Sequence, residues 1–592
     1  MRCALFRSIV TAGLVLFWAT ALPMFAAPSG EGWSQLETEN FILISQVDEG
    51  STRTVGADLE RLRFALEQIF DQAAFDSPLS TFLYVFRDQG SFAPYSLGGG
   101  EPGYFVPHIH ANFAVVVGGA GEGALPVVYR QYIHELVSDN VPALQGWFRH
   151  GLAEVFSTFQ TTSEEAVVGL RGDTDELGLD AGNLMPLTEL LALYDAPTST
   201  PDPQAMQTSW ALVHYLFWGD PERFEATRQW VRRSAAEPNY RATLVEALGT
   251  DVASLEADLA AYLAQPEVPS HRIPVAGATT EGELAPLAES EALFRLGDLL
   301  IHTGDDPARR ASASQHFDRV IELAPESAMA LGGAGLVRQS AGDLEGAEKF
   351  YLEALEKLED SFRLNFILGD VELELLGKRR PTTPAEEERL ATAVAAFERT
   401  TILNPDFGEG WARLGYSYNL QTKPNAAAVS ALEKGYEMLP DRSDVAYNLL
   451  LGYARAGERE EAWSLIATLE ARGGDDRTVS QAREVAYQLD FQAAGALARE
   501  KRYDDSVGLF SRVAAESSNA EMQQRAASAI SGIAVAATAN DFPGRYSQAV
   551  ETMATGDKAT AAERATALAA DAAPGMQAEI VNELLRRIED SP

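Results

Sequence analysis

The sequence is poor in cysteine, in basic side chains and in long apolar runs. Cys3 is the one cysteine among 592 residues, so no disulfide can form within the chain. There are 47 Lys and Arg against 86 Asp and Glu, giving a formal net charge of −39. This charge argues against the binding of nucleic acid or of an anionic membrane through a basic surface. At this length the chain is expected to form two or more domains.

The longest apolar run lies at the N-terminus and has the pattern of a secretory leader. Arg2 and Arg7 precede an apolar run from Ile9 to about Leu22, and small residues follow up to Ala27. The run is too short to predict a spanning helix. We therefore expect a signal peptide at residues 1–27, a bacterial periplasmic or secreted protein, and no stable membrane span after the leader is removed. Cys3 would leave with the leader.

Two segments in the first half carry the most specific motif. Residues 129–134 read YRQYIH and residues 147–156 read WFRHGLAEVF, and His134 and His150 are sixteen positions apart. They resemble the peptidase MA-like gluzincins, zinc metallopeptidases that carry H-E-x-x-H on one helix and a motif such as P-x-W-L-x-E-G-L-A-E-Y-F on the next. Two histidines four apart lie on one helical face and can bind one zinc ion.

The resemblance implies a degenerate site, because most of the family's catalytic residues are replaced. In this register Arg130 stands for the first histidine, Gln131 for the general base and His150 for the glutamate ligand, whereas His134 is unchanged. Arginine has no lone pair to offer a metal, and glutamine cannot accept a proton from water. No residue is thus predicted to be catalytic, and His134 is either an ordinary helix histidine or, with His150, a metal ligand.

Other polar residues near the motif leave two interpretations open. His108 and His110 would point to one side of a strand, which suits metal binding, or they lie in a solvent-facing loop after Pro107. Glu135 and Glu154 remain as carboxylate partners, with Glu154 predicted to face solvent or to form a local pair. Whether His108, His110, His134 and His150 converge on a metal is not decided by the sequence.

The order of predicted elements agrees with the resemblance. Strands are predicted at residues 41–45, 81–86, 103–106 and 113–117, and an amphipathic helix at about 52–70. The resemblance implies an α+β gluzincin-like domain over residues 28–264. Prolines and glycines in residues 265–286 predict a linker without regular elements.

The second half repeats itself. Gly297, Gly335, Gly369, Gly415 and Gly452 each follow Leu or Ala, at intervals of 38, 34, 46 and 37 residues. This spacing resembles the tetratricopeptide repeat (TPR). We predict an all-α TPR solenoid at residues 287–480 and further helical repeats or a cap at 481–592. Such repeats present a groove, which implies a protein or peptide partner.

Two functions fit these patterns. The first is an inactive metallopeptidase-like domain joined to a TPR solenoid, acting as a protein-binding or assembly factor in the cell envelope, with no cofactor and no enzyme activity. The second is a divergent zinc metallopeptidase with a metal site rebuilt from the histidines above or Glu135, for which zinc would be the cofactor.

Overall fold

A computed structural model of the chain describes residues 29–70, 75–98, 102–118, 125–141, 144–170, 183–193, 202–236, 243–265, 268–423, 426–440, 442–471, 476–572 and 575–590. The predicted signal peptide therefore lies outside the described residues. None of the helices in these ranges is both long enough and apolar enough to span a bilayer.

Nine strands form two sheets in the described part of the N-terminal half. They are β1 (Ser34–Glu37), β2 (Phe41–Ser45), β3 (Thr81–Phe86), β4 (Gly103–His108), β5 (Ala111–Val117), β6 (Gln160–Thr161), β7 (Glu165–Val168), β8 (His271–Pro274) and β9 (Glu283–Pro286). The larger sheet has the order β4-β5-β3-β2-β1-β9, and the smaller has the order β6-β7-β8. Strands β2, β3 and β5 are parallel, and their other neighbours in the larger sheet are antiparallel.

Nine α-helices accompany these strands in the described ranges. They are α1 (Glu49–Ile69), α2 (Gln89–Phe92), α3 (Leu125–Asn140), α4 (Gly146–Ser157), α5 (Leu187–Leu193), α6 (Pro203–Trp218), α7 (Pro221–Ala236), α8 (Leu244–Leu248) and α9 (Val252–Leu263). The predicted strands and the first helix are confirmed. Helix α1 begins earlier than its apolar pattern, because the Asp48 side chain accepts a hydrogen bond from the Ser51 backbone N–H and caps its N-terminus.

Both faces of the larger sheet are buried. Because side chains alternate along a strand, one set packs against the helices of the N-terminal half and the other against the helical repeats. The first set includes Leu43, Leu83, Val85, Ala114 and Val116, and the second includes Ile44, Tyr84, Phe86, Phe113 and Val115. The sheet and the first repeats thus share one hydrophobic core.

The segment predicted to be a linker without regular elements, residues 265–286, contains two strands in the structure. These strands, β8 and β9, pair with β7 and β1. The prolines are tolerated because Pro274 and Pro286 stand at the last positions of these two strands. The α+β part therefore extends to Pro286 instead of ending at residue 264.

Fifteen helices follow within the described part of the chain. They are α10 (Glu289–His302), α11 (Pro307–Leu323), α12 (Ala328–Ser340), α13 (Leu344–Lys357), α14 (Phe362–Leu375), α15 (Pro384–Leu403), α16 (Gly408–Leu420), α17 (Ala426–Met438), α18 (Ser443–Ala456), α19 (Arg459–Ala471), α20 (Asp476–Arg499), α21 (Tyr503–Glu516), α22 (Ala520–Ala554), α23 (Lys558–Asp571) and α24 (Met576–Glu589).

These helices pack as the repeat pattern predicts. Consecutive helices form pairs, and the first helix of one pair also contacts the first helix of the next, as in α14 with α16 and α16 with α18. The first helices therefore line one side of a solenoid of the TPR type. The boundary predicted between residues 480 and 481 falls inside α20, so the stacking of helices does not change there.

The repeat glycines differ in how closely a neighbour approaches, and this predicts unequal effects of alanine. A Cβ on Gly415 would overlap the Leu432 Cγ and lie 3.0 Å from the Leu432 backbone nitrogen, whereas a Cβ on Gly452 would have its nearest neighbours at 3.5 Å. Gly415→Ala should lower the free energy of unfolding by about 1–3 kcal/mol through overpacking. Gly452→Ala should be neutral or stabilising by up to about 1 kcal/mol, because alanine favours the helix. Chemical denaturation of both variants checks this, and equal effects would contradict it.

Candidate functional site

Helices α3 and α4 lie side by side and place the degenerate motif between them. Helix α4 is anchored by Trp147 and Phe148, whose side chains are fully buried and whose rings meet edge to face at 5.6 Å. Phe148 also packs edge to face on Trp230 at 5.3 Å. These contacts fix the rotation of α4, so that its polar positions face α3.

Two pairs of side chains face each other between the two helices. The Arg130 Nε lies 2.6 Å from the Glu154 Oε1. One turn further along α3, the imidazoles of His134 and His150 stack with their centroids 4.6 Å apart and 27° between their planes. The positions that the family motif matches to zinc ligands therefore do lie together. Glu154, for which solvent exposure or a local pair is predicted, is instead 18% exposed and pairs with a residue of the neighbouring helix.

Glu135 completes the polar cluster on α3. The Gln131 side-chain amide donates to the Glu135 Oε1 at 2.7 Å, and the His134 Nδ1 lies 3.4 Å from the same oxygen. One carboxylate oxygen is thus shared by two neighbours on its own helix. Gln131, which the resemblance matches to the general base, serves as a hydrogen-bond donor here.

The zinc ion that the resemblance implies does not fit this arrangement. The Arg130 guanidinium stands where the first ligand would be, and it already neutralises Glu154. Burial, with smaller contributions from His134 and Arg149, lowers the pKa of His150 to about 4. Because Arg130 stands in place of the first ligand, His134 and His150 supply two imidazoles, fewer than the three protein ligands of a catalytic zinc site.

His108 and His110 meet a third histidine that no sequence motif includes. His108 ends β4 and His110 lies in the turn before β5, so the pair occupies a hairpin end. The imidazole of His302, the last residue of α10, lies 4.7 Å from that of His108 and 5.0 Å from that of His110, between centroids. No local signal marks His302, because its role depends on α10 packing against the sheet.

The ligand atoms of these three histidines lie within 4.8 Å of one another. Among the described residues, these three are the side chains of His, Cys, Asp or Glu that come close enough together, as a group of three or more, to hold a metal ion. Neither His134 nor His150 belongs to this group. Burial lowers the pKa of His108 to about 4, helped by His302 and Arg363, and burial also holds the pKa of His110 well below its usual range. Both imidazoles are therefore neutral near pH 7.

A buried ion pair holds His302 in place. Asp298 is fully buried and accepts two hydrogen bonds from the Arg363 guanidinium, at 2.8 and 2.6 Å. The His302 Nδ1 lies 2.9 Å from the Asp298 backbone oxygen and 3.0 Å from its Oδ1. Burial alone would raise the pKa of Asp298, but Arg363 and His302 hold it well below its usual range.

A separate groove of about 390 Å³ lies along the repeats. Its walls come mainly from α16, α18 and α20, which are first helices of successive pairs. The lining is mixed, with apolar side chains between amides, a tyrosine and two guanidiniums. It includes Tyr416, Asn419, Asn448, Leu451, Arg455 and Gln488.

No family model matches the chain, and no curated protein sequence matches it. Among solved structures it is similar to PilF of Pseudomonas aeruginosa at 17% identity, with 40% of this chain and 95% of that chain covered and a TM-score of 0.27. A TPR protein of Parabacteroides merdae shares 14% identity over 51% of this chain and 99% of its own, with a TM-score of 0.27. A TPR protein of Thermus thermophilus shares 18% identity over 33% and 98%, with a TM-score of 0.25. The repeat assignment rests on the helix pairs described above.

Proposed function

We propose that this chain is a protein-binding or assembly factor of the bacterial cell envelope. Its repeats would bind an extended segment of a partner protein, and its N-terminal half would be a gluzincin-like domain that no longer cleaves peptides. The observation that carries the proposal is the groove along α16, α18 and α20. Export is supported by the leader pattern of residues 1–27.

The lining of the groove suits a peptide backbone. Asn419 is held in place because its side-chain amide donates to the Asn448 backbone oxygen at 2.9 Å. Asn448 and Gln488 also line the groove, and such amides can both donate to and accept from a peptide group. Leu451 lies beside them and supplies apolar surface for a partner side chain. Recognition of this kind combines backbone hydrogen bonds with side-chain pockets.

The two arginines of the groove favour a partner segment that carries a carboxylate. Arg380 and Arg455 both line it, in a chain whose formal net charge is −39. Burial lowers the pKa of Arg455, and the charge of Arg380 lowers it further. A carboxylate bound between these guanidiniums would relieve their mutual repulsion. We therefore expect an acidic segment as the ligand.

A crosslinking experiment in envelope fractions tests the groove. A photoreactive phenylalanine in place of Tyr416 should crosslink a partner, whereas the same group in place of Glu437, an exposed residue of the second helix α17, should not. The peptide mapped at the crosslink should then bind the purified protein. Equal crosslinking at both positions would contradict the proposal.

A matched pair of charge reversals gives the binding test a control. Arg455→Glu should weaken the mapped peptide by at least about tenfold, because one charged contact is replaced by a repulsive one. Arg499→Glu makes the same charge change at an exposed position that is not among the residues lining the groove, and it should leave the affinity unchanged. Equal affinities for the wild type and Arg455→Glu would place the ligand elsewhere.

The inactive state of the N-terminal domain is supported by Arg130 and Gln131 at the ligand and base positions. The purified protein should show no chelator-sensitive peptide hydrolysis. The triple change Arg130→His, Gln131→Glu, His150→Glu should add one zinc equivalent to whatever the parent protein binds, because it restores two histidines and a glutamate. Chelator-sensitive hydrolysis by the parent, abolished by His134→Ala, would favour the divergent zinc metallopeptidase instead.

A further inference from the structure

The three histidines between the sheet and the first repeat form a group that the proposed function does not use. His108 and His110 come from the β4–β5 hairpin and His302 from the end of α10. Although His302 is far from the other two in sequence, the three ring centroids are separated by only 4.5 to 5.0 Å. Contact between the sheet and the repeats is what brings them together.

Two of the three have a buried nitrogen without a partner. His110 is 4% exposed, and the Nδ1 atoms of His108 and His110 are buried with no hydrogen-bond partner among the described residues. A buried polar atom without a partner is costly, and a bound ion is one of the reasons for which native proteins retain such an atom. Two such atoms in adjacent imidazoles point to one shared ligand.

The third histidine is oriented as metal-bound histidines usually are. Its Nδ1 contacts the backbone and side-chain oxygens of Asp298, which leaves Nε2 free to bind a metal. A carboxylate on the far nitrogen fixes the tautomer and the ring orientation of a ligating histidine. Asp298 is itself held by Arg363, so this support is rigid.

We propose that His108, His110 and His302 bind one Zn²⁺ ion, which links the sheet to the first helical repeat. Three imidazole nitrogens are a common donor set for zinc. Nitrogens bound to one tetrahedral zinc lie roughly 3.3 Å apart, as follows from Zn–N distances of about 2.0–2.1 Å. The ligand atoms, which lie within 4.8 Å of one another, would move closer together on binding the ion.

The positive charge of Arg363 does not prevent this binding. Its guanidinium lies 3.4 Å from the His302 Nδ1, but both of its hydrogen bonds to Asp298 compensate the charge within the same contact. The zinc ion would sit on the opposite side of the His302 ring, at Nε2. The zinc ion would therefore bind beside the Asp298–Arg363 pair, in which the two charges compensate each other.

Metal titration of the purified protein, prepared without a polyhistidine tag and stripped with a chelator, tests the proposal. The protein should bind one equivalent of Zn²⁺, and Co²⁺ in its place should give the visible absorption of a tetrahedral site. Zinc should raise Tm by at least about 3 °C, because it binds only the folded state. His302→Ala should weaken zinc binding by more than about 100-fold. This loss exceeds the roughly 10–100-fold loss that follows when a residue that only hydrogen-bonds a metal ligand is changed.

Three further variants distinguish this site from the remaining histidines of the chain. His108→Asn alters a partly exposed ligand and keeps the test valid if His302→Ala fails to fold. His134→Ala and His316→Ala should both retain zinc; His316 lies at the same contact between sheet and repeats but bonds Tyr95 at 2.8 Å. No zinc binding by the folded wild type, or zinc lost in His134→Ala and kept in His108→Asn, would overturn the proposal.

Discussion

Replacing Asp298 with leucine should lower the free energy of unfolding by about 3–5 kcal/mol, because it leaves the largely buried Arg363 guanidinium, which is 18% exposed, without its counter-charge. Asp298 is fully buried, and Arg363 donates two hydrogen bonds to it. The pair joins α10 to α14, and Asp298 also contacts His302. Loss of the pair therefore affects the contact between the sheet and the repeats. Urea denaturation in the presence of a chelator measures the effect without any contribution from metal.

The double variant Asp298→Leu/Arg363→Met distinguishes a missing partner from a missing contact. Apolar residues of similar volume in place of both charges should restore most of the stability, since no buried charge is then uncompensated. Asp305→Ala is the matched control in the following turn. Asp305 pairs with Arg310 but its side chain is 99% exposed, so little change is expected. A double variant as unstable as Asp298→Leu would show that the lost contact, and not the unpaired charge, causes the destabilisation.

Phe86→Ala should destabilise the protein by about 3–5 kcal/mol and loosen the first repeat together with the sheet. Phe86 is fully buried in β3 and packs against Trp33 at 5.3 Å and Tyr95 at 4.9 Å, between ring centroids. The Tyr95 backbone oxygen in turn accepts a hydrogen bond from Arg309 of α11 at 3.0 Å. Hydrogen exchange should therefore accelerate in both β3 and α11.

Phe397→Ala provides the matched control for that exchange experiment. Phe397 is equally buried, but it belongs to a separate hydrophobic cluster whose buried members all lie in the repeats, and it packs on Phe366 at 5.8 Å. Its replacement should accelerate exchange in α14 and α15 and leave β3 protected. Unchanged exchange in α11 of the Phe86 variant would mean that sheet and repeats unfold independently, as a linker at residues 265–286 would predict.

Local patterns in the sequence were enough to locate most elements. The strands at residues 41–45 and 81–86 and the helix pairs of the repeats follow from side-chain periodicity, which depends only on near neighbours along the chain. That His134 and His150 lie together was implied only by the resemblance to the gluzincin motif, because spacing along the chain does not fix which faces of two helices meet. The sequence does not predict the short strands β8 and β9. Their segments contain prolines and become strands only by pairing with β7 and β1.

The sequence by itself determined the α+β beginning and the repeat architecture, since both depend on residue type and local spacing. Only the tertiary structure decided that the second face of the sheet is covered by the repeats, that Asp298 pairs with Arg363, and that His302 joins His108 and His110. These contacts join residues far apart in the chain. Their formation depends on how two buried surfaces fit together, which periodicity within either segment does not encode.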